Sequence, residues 1–109
     1  MSAAQEPAGS DGPVTVTIIM TFKDDALADA YCRGAAQSLD VTRNFKGCRD
    51  IRAFRHPTER NKILLFEEWD NVDDLMAYRT FRRERGDTAR ATALLQEPMQ
   101  SDMWLERIA

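Results

Sequence analysis

Four consecutive apolar residues, Ile63 to Phe66, constrain the fold of this 109-residue chain more than any other feature. The run is short and ends in two acidic residues and Trp69, which indicates a strand over residues 62–69. Successive side chains of a strand point to opposite faces, so this strand would present apolar groups on both. The helices of so small a protein can cover only one face of a sheet. A second copy must cover the other, which predicts a homodimer.

Apolar periodicity predicts the order β-α-β-β-α-β. The predicted strands cover residues 14–22, 48–56, 62–69 and 99–108, and the predicted helices cover 24–44, a segment beginning near 71, and a short piece over 88–96. This order is the ferredoxin-like split arrangement, an α+β fold with an antiparallel four-stranded sheet and both main helices on one face. Residues 1–12 are small, polar and contain Gly and Pro, so we expect a disordered tail before a domain over 13–109.

Composition excludes several classes of protein. A net charge of −3 argues against a nucleic-acid-binding protein, which normally carries a basic surplus. No apolar run approaches the roughly 20 residues that span a bilayer, and no secretory signal is present, so no membrane association and a cytoplasmic location are expected. Arginines do cluster near the second helix, and we interpret them as a solvated helix flank, with an anionic ligand or partner as the alternative: Arg79, Arg82, Arg83, Arg85 and Arg90.

The segment Leu65–Arg79, with sequence LFEEWDNVDDLMAYR, resembles the signature of the antibiotic biosynthesis monooxygenase family, in the dimeric α+β barrel superfamily. Its strand-Glu-x-Trp-helix junction is the most specific part. The resemblance implies a ferredoxin-like protomer, a sheet-to-sheet homodimer and a cavity between sheet and helices in each subunit. Several members of the family oxidise quinols or polycyclic aromatic polyketides with O2 and no cofactor, whereas others degrade haem or isomerise small metabolites.

Two positions depart from the family pattern. Members often carry histidines at the positions of Tyr78 and Arg83. The single histidine of this chain, His56, lies in the predicted hairpin turn, so haem has no obvious axial ligand. Neither Cys32 nor Cys48 has a metal-site spacing. The expectation is therefore no metal and no cofactor.

A cofactor-free oxygenase needs a dry aromatic cavity, an acceptor for a phenolic proton and hydrogen bonds to the developing oxyanion. As catalytic groups we select Tyr78 and Arg82 for the oxyanion and Glu67 as a base. Aromatic side chains are expected to bind a small aromatic substrate: Trp69, Phe66, Phe22, Tyr31, Phe81 and Trp104. Of these, Trp104 is expected either to close a neighbour's cavity or to pack in the interface.

Structural roles compete with each of these functional roles. Trp69 is interpreted first as a core or dimer anchor, and Tyr78 equally as a core-edge residue. Glu67 and Glu68 alternate faces, so one points inward or into the dimer interface, where an intersubunit salt bridge is the alternative. The leading function is a cofactor-independent monooxygenase acting in an intrasubunit cavity. The alternatives are a non-catalytic dimeric module that binds a small hydrophobic metabolite and a structural dimer with a filled interior.

Overall fold

The computed structural model describes residues 12–109, so the predicted N-terminal tail lies, apart from Gly12, outside the described residues. The elements are β1 (Val14–Thr21), α1 (Asp25–Arg43), β2 (Cys48–Arg55), β3 (Lys62–Trp69), α2 (Val72–Glu84), α3 (Asp87–Ala93) and β4 (Gln100–Trp104). The four strands form one antiparallel sheet in the order β2-β3-β1-β4. The predicted ferredoxin-like α+β fold is confirmed.

Local signals place the main helices. Asp24 caps α1 by accepting a hydrogen bond from the backbone of Leu27 at 2.8 Å, and Asn71 caps α2 through Asp74 at the same distance. Gly47, before β2, has a φ of 88°, and a Cβ there would lie 2.5 Å from the Asp74 Cβ. Only glycine therefore lets the start of α2 approach the α1–β2 turn this closely.

The last strand is shorter than predicted. Residues 99–108 were expected to form it, but β4 ends at Trp104. Trp104 pairs with Thr15, one residue from the beginning of β1, so the backbone beyond it has no strand to pair with. The first strand likewise ends before Phe22, which forms an isolated bridge with Leu95.

Alternation along β1 and β3 separates the two faces of the sheet. Odd-numbered residues of β3 are buried beneath the helices, and the even-numbered residues of β1 from Val14 to Met20 lie on the same face. Two clusters of buried side chains form the core there, one around Phe22 and Ile63 and the other around Trp69 and Leu75. The helices thus cover one face only.

The other face of the sheet, here called the open face, carries apolar and aromatic side chains on all four strands: Thr15, Thr17, Ile19, Phe54, Leu64, Phe66 and Trp104. Phe54 is 49% exposed and Trp104 57% exposed, although the Trp104 indole donates a hydrogen bond to Thr17 Oγ1 at 3.0 Å. The single chain leaves these groups to water, as the run at residues 63–66 led us to expect. Within residues 12–109, no helix combines the length and apolar character needed to cross a bilayer.

Candidate functional site

A pocket of about 380 Å³ opens between the helix-covered face of the sheet and the three helices. Cavities of roughly 300–1,000 Å³ are typical of small-molecule sites. Much of the lining is apolar: Ile18, Met20, Leu39, Leu65, Ala91 and Met99. The polar lining is Tyr31, Ser38, Thr42, Glu67, Tyr78, Arg79, Arg82, Arg83, Asp87, Thr88 and Ser101. The interior beside Tyr78 is therefore not filled by the chain's own side chains.

Glu67 is the buried carboxylate of this pocket, with only 3% of its surface exposed. The Trp69 indole nitrogen donates a hydrogen bond to its Oε1 at 2.9 Å, and no other hydrogen bond to this carboxylate is present in the described part of the chain. Burial raises the pKa of Glu67, while the Trp69 hydrogen bond and the charges of Arg79 and Arg82 lower it by less. A carboxylate so placed can accept a proton from a bound molecule.

Tyr78 is held against the core by its ring and by its hydroxyl. The ring lies 5.0 Å from that of Trp69 and 5.4 Å from that of Phe45, measured between centroids. The hydroxyl accepts a hydrogen bond from Arg82 Nε at 2.7 Å and shares another with Thr42 Oγ1 at 2.6 Å. Burial raises the pKa of Tyr78 despite these two bonds, so the phenol is neutral near pH 7.

Arg82 connects the three helices around the pocket. From α2 it donates to the Ser38 carbonyl of α1 at 2.8 Å and to the Asp87 carboxylate of α3 at 2.8 Å. The ion pair between Arg82 and Asp87 is largely shielded from solvent. The hydrogen bond from Arg82 lowers the pKa of Asp87. Because every wall except the sheet is fixed through this one guanidinium, Arg82 keeps the pocket in shape.

Tyr31 lines the pocket from α1. Its ring lies 5.5 Å from that of Phe22, and burial raises the pKa of Tyr31 to about 12. The hydroxyl of Tyr31 therefore remains protonated at any physiological pH and can act only as a neutral hydrogen-bonding group.

The structure brings Glu67, Tyr78, Arg82 and Tyr31 together, but other candidates lie elsewhere. Trp69 and Phe22 are fully buried behind the pocket wall, so they support the lining residues. Phe81 packs on Phe45 with 5.2 Å between centroids and does not line the pocket.

Phe66 requires a correction, whereas the role predicted for Trp104 in a neighbouring subunit stays a prediction. Phe66 follows Leu65 and precedes Glu67 on β3, so alternation places it on the open face, where Arg52 lies 5.1 Å from its ring. Trp104 lies on the same face, across from Thr15. Neither contributes to the pocket of its own chain. Glu68 shares this face, and Glu67 is the inward-pointing acid.

Sequence reasoning missed the α1 contribution. Ser38 and Thr42 are four residues apart, on the side of α1 that also carries Leu39. Only the apolar residues of that helix were used to define its inner face, so its hydroxyl groups were overlooked. Extending the helical spacing from Tyr31 and Leu39 would have found them.

Metal ligation has no support in the geometry. Among residues 12–109, no three His, Cys, Asp or Glu side chains lie close enough together to hold a metal ion. His56 is a turn residue, as expected: its Nδ1 accepts a hydrogen bond from the backbone of Glu59 at 2.9 Å.

Comparisons with known proteins relate this chain to one family. The family model described as antibiotic biosynthesis monooxygenase matches residues 13–82, more than half of the chain. Rv0793 of Mycobacterium tuberculosis is 19% identical, with a TM-score of 0.74 over 90% of this chain and 100% of its own. A candidate antibiotic biosynthesis monooxygenase from Nitrosomonas europaea is 11% identical, with a TM-score of 0.77 over 94% and 96%.

A third structure, from Caulobacter crescentus, carries the same family description. It is 15% identical, with a TM-score of 0.75 over 90% of this chain and 92% of its own. At these identities the likeness shows the fold. No curated protein matches the chain.

Replacing Glu67 with Gln tests the buried carboxylate through stability. Folding raises the pKa of Glu67, so its protonation adds to the free energy of unfolding. This contribution is complete below the unfolded-state pKa and is lost as pH rises through the folded-state pKa. Gln cannot ionise and can still accept the Trp69 hydrogen bond. Urea unfolding across this pH range should therefore show Glu67→Gln gaining stability relative to the wild type as pH rises. A constant or shrinking difference would contradict the assignment. Glu68→Gln, on the open face, serves as the control and should show no such gain.

Proposed function

Because this chain belongs to the antibiotic biosynthesis monooxygenase family, we propose that it oxidises a small phenol, hydroquinone or polyketide-type aromatic with O2, without a metal or organic cofactor. The observation that carries this proposal is the convergence of the Glu67 carboxylate, the Tyr78 hydroxyl and two arginine side chains, Arg79 and Arg82, on a largely apolar pocket. Such a pocket supplies the proton acceptor, the hydrogen bond and the positive charge that the reaction requires.

Proton transfer to Glu67 begins the proposed reaction. The raised pKa of Glu67 brings it closer to neutrality, which makes it a better base for a phenolic or activated C–H proton than an exposed glutamate. Arg79 and Arg82 stabilise the resulting anion through their charge, and the Tyr78 hydroxyl is positioned beside Arg82 to donate to it. The apolar wall excludes water and so strengthens these interactions.

Oxidation of the bound anion by O2 completes the reaction. For a substrate of the anthrone class, a methylene carbon loses two hydrogens and four electrons. One oxygen atom of O2 becomes the new carbonyl oxygen, and the other leaves as water with the two protons. The electrons come from the substrate itself, so the protein supplies binding, deprotonation and charge stabilisation.

A homodimer is part of the proposal. The open face exposes Phe54 and Trp104, with Leu64 and Phe66 half-buried between them. A soluble protein rarely leaves such a surface uncovered. Packing two open faces together would bury it and leave each pocket, on the helix-covered side, accessible.

A non-catalytic module that binds a small hydrophobic metabolite is the second candidate. Tyr78 and Arg83 stand where members of the family often have histidines, so this chain lacks an imidazole in its pocket. The same cavity could then bind an aromatic molecule without oxidising it.

Oxygen uptake distinguishes the two candidates. With a panel of hydroquinones and anthrones in air, the wild type should consume O2 above a heat-denatured control. Glu67→Gln should lower the rate by about 100-fold, because general-base catalysis typically contributes 10²–10⁴-fold. Glu68→Gln should leave the rate unchanged. Melting shifts with these compounds but no O2 uptake by the wild type would favour the binding module instead.

Light scattering after size-exclusion chromatography tests the dimer. The wild type should run at twice the chain mass of 12.4 kDa. Leu64→Asp should produce a monomer, because this position lies opposite Phe54 and Ile19 and the charge would be buried unpaired between the two sheets. The control is Met76→Asp, at a residue of α2 that is 48% exposed, and it should remain dimeric. A folded wild-type monomer at about 10 µM would contradict the proposal, since stable interfaces normally bind well below that concentration.

A further inference from the structure

We infer that the pocket selects an aromatic acid, with Arg79 and Arg83 binding the carboxylate of the ligand. The inference rests on the proposed function in taking this ligand to be the substrate. It begins from the hydrogen bonds of the arginines that line the pocket, Arg79, Arg82 and Arg83.

Arg82 uses four of its five N–H groups within the protein, which leaves it no pair of donors for a ligand carboxylate. Its guanidinium already donates to a carbonyl, a carboxylate and two hydroxyl groups of the protein: Ser38, Asp87, Tyr78 and Thr42. The Asp87 carboxylate pairs with Arg82, and the same carboxylate also pairs with Arg85 and Arg90. One acidic side chain therefore serves three arginines, and none of those three is Arg79 or Arg83.

Arg79 and Arg83 have only neutral hydrogen-bond partners. Arg79 donates to Ser101 Oγ at 3.1 Å, and Arg83 donates to Thr80 Oγ1 at 3.4 Å, near the limit for a hydrogen bond. Neither forms an ion pair with any of residues 12–109, whereas Arg82 at the same pocket does. Neither guanidinium is therefore held in an ion pair at the pocket, although the charge of Arg79 acts on Glu67.

Helical spacing places these two charges side by side. Residues four apart on a helix have Cβ atoms about 5–6 Å apart, and a like-charged pair at this spacing destabilises the helix slightly. A carboxylate bound between them would remove the repulsion. Arginine is suited to this role because its planar donors match the two oxygens of a carboxylate.

The opposite charge of Glu67 sets the direction in which the ligand binds. A carboxylate near Glu67 would be repelled, and a hydroxyl there could donate to it. We therefore assign a hydroxyl of the ligand to Glu67, its aromatic body to Leu65 and Met99, and its acid group to Arg79 and Arg83. These three features define the substrate class as hydroxylated aromatic carboxylates.

A matched pair of probes tests this class without turnover. Calorimetry would compare 6-hydroxy-2-naphthoic acid with its neutral carboxamide, which has almost the same shape. The wild type should bind the acid about tenfold more tightly or better, the effect of one charge-assisted hydrogen bond. Raising the salt from about 0.05 M to about 0.5 M should weaken binding of the acid and leave that of the amide nearly unchanged.

Variants assign the preference to the two arginines. Arg79→Gln combined with Arg83→Gln should reduce the preference for the acid to within about twofold, with the amide binding as before. Arg33→Gln with Arg60→Gln removes the same charge from exposed arginines outside the pocket and should keep the wild-type preference.

Three results would overturn the inference: equal binding of acid and amide to the wild type, a preference that survives in the Arg79–Arg83 variant, or no binding of either probe. If that variant fails to fold, the wild-type preference and its salt dependence decide the question. Binding of the acid in a protein that consumes no O2 would refute the proposed oxidation and leave this inference standing.

Discussion

The carboxylate of Glu67 is buried against one hydrogen-bond donor, the Trp69 indole nitrogen 2.9 Å from its Oε1. An isolated charge in an apolar interior is costly, so this group must either be neutral or have compensating charge nearby. Burial raises the pKa of Glu67 and so favours its neutral form, and the charges of Arg79 and Arg82 oppose that rise. Glu67 and Trp69 are two residues apart on β3, so the pairing register that buries one also buries the other. A slip by one residue would bring Phe66 and Glu68 inside instead.

The pocket remains open because Arg82 braces its walls. Its bonds to Ser38 and Asp87 hold α1 and α3 at fixed positions relative to α2. Without a long side chain that donates hydrogen bonds to α1 and α3, the helices would be free to pack directly onto the sheet. Gly47 acts at the other end of α2, where its lack of a side chain admits Asp74. The walls of the pocket are thus linked by a network of guanidinium and hydroxyl groups.

Much of the fold was predictable from local patterns, and the family from one segment. The bounds of β3 and the beginning of α2 near residue 71 follow directly from residues 62–71. The inner face of β3 did not follow, because an uninterrupted apolar run does not show whether its odd-numbered or its even-numbered residues point inward. Phe66 was therefore predicted to line the pocket, but it lies outside it. The hydroxyl groups of α1 were missed for a related reason, since Thr42 is buried as a hydrogen-bond partner of Tyr78 and not as an apolar residue.

The titration of the Glu67 side chain tests whether burial in the pocket raises its pKa. Carbon-13 NMR of protein labelled at the glutamate carboxyl groups, with Glu67→Gln used for assignment, would follow its ionisation against pH. The midpoint should lie above the ordinary glutamate value of about 4.3 and should change further when 2-naphthol fills the pocket. A midpoint at or below that value, unchanged by the naphthol, would contradict this prediction.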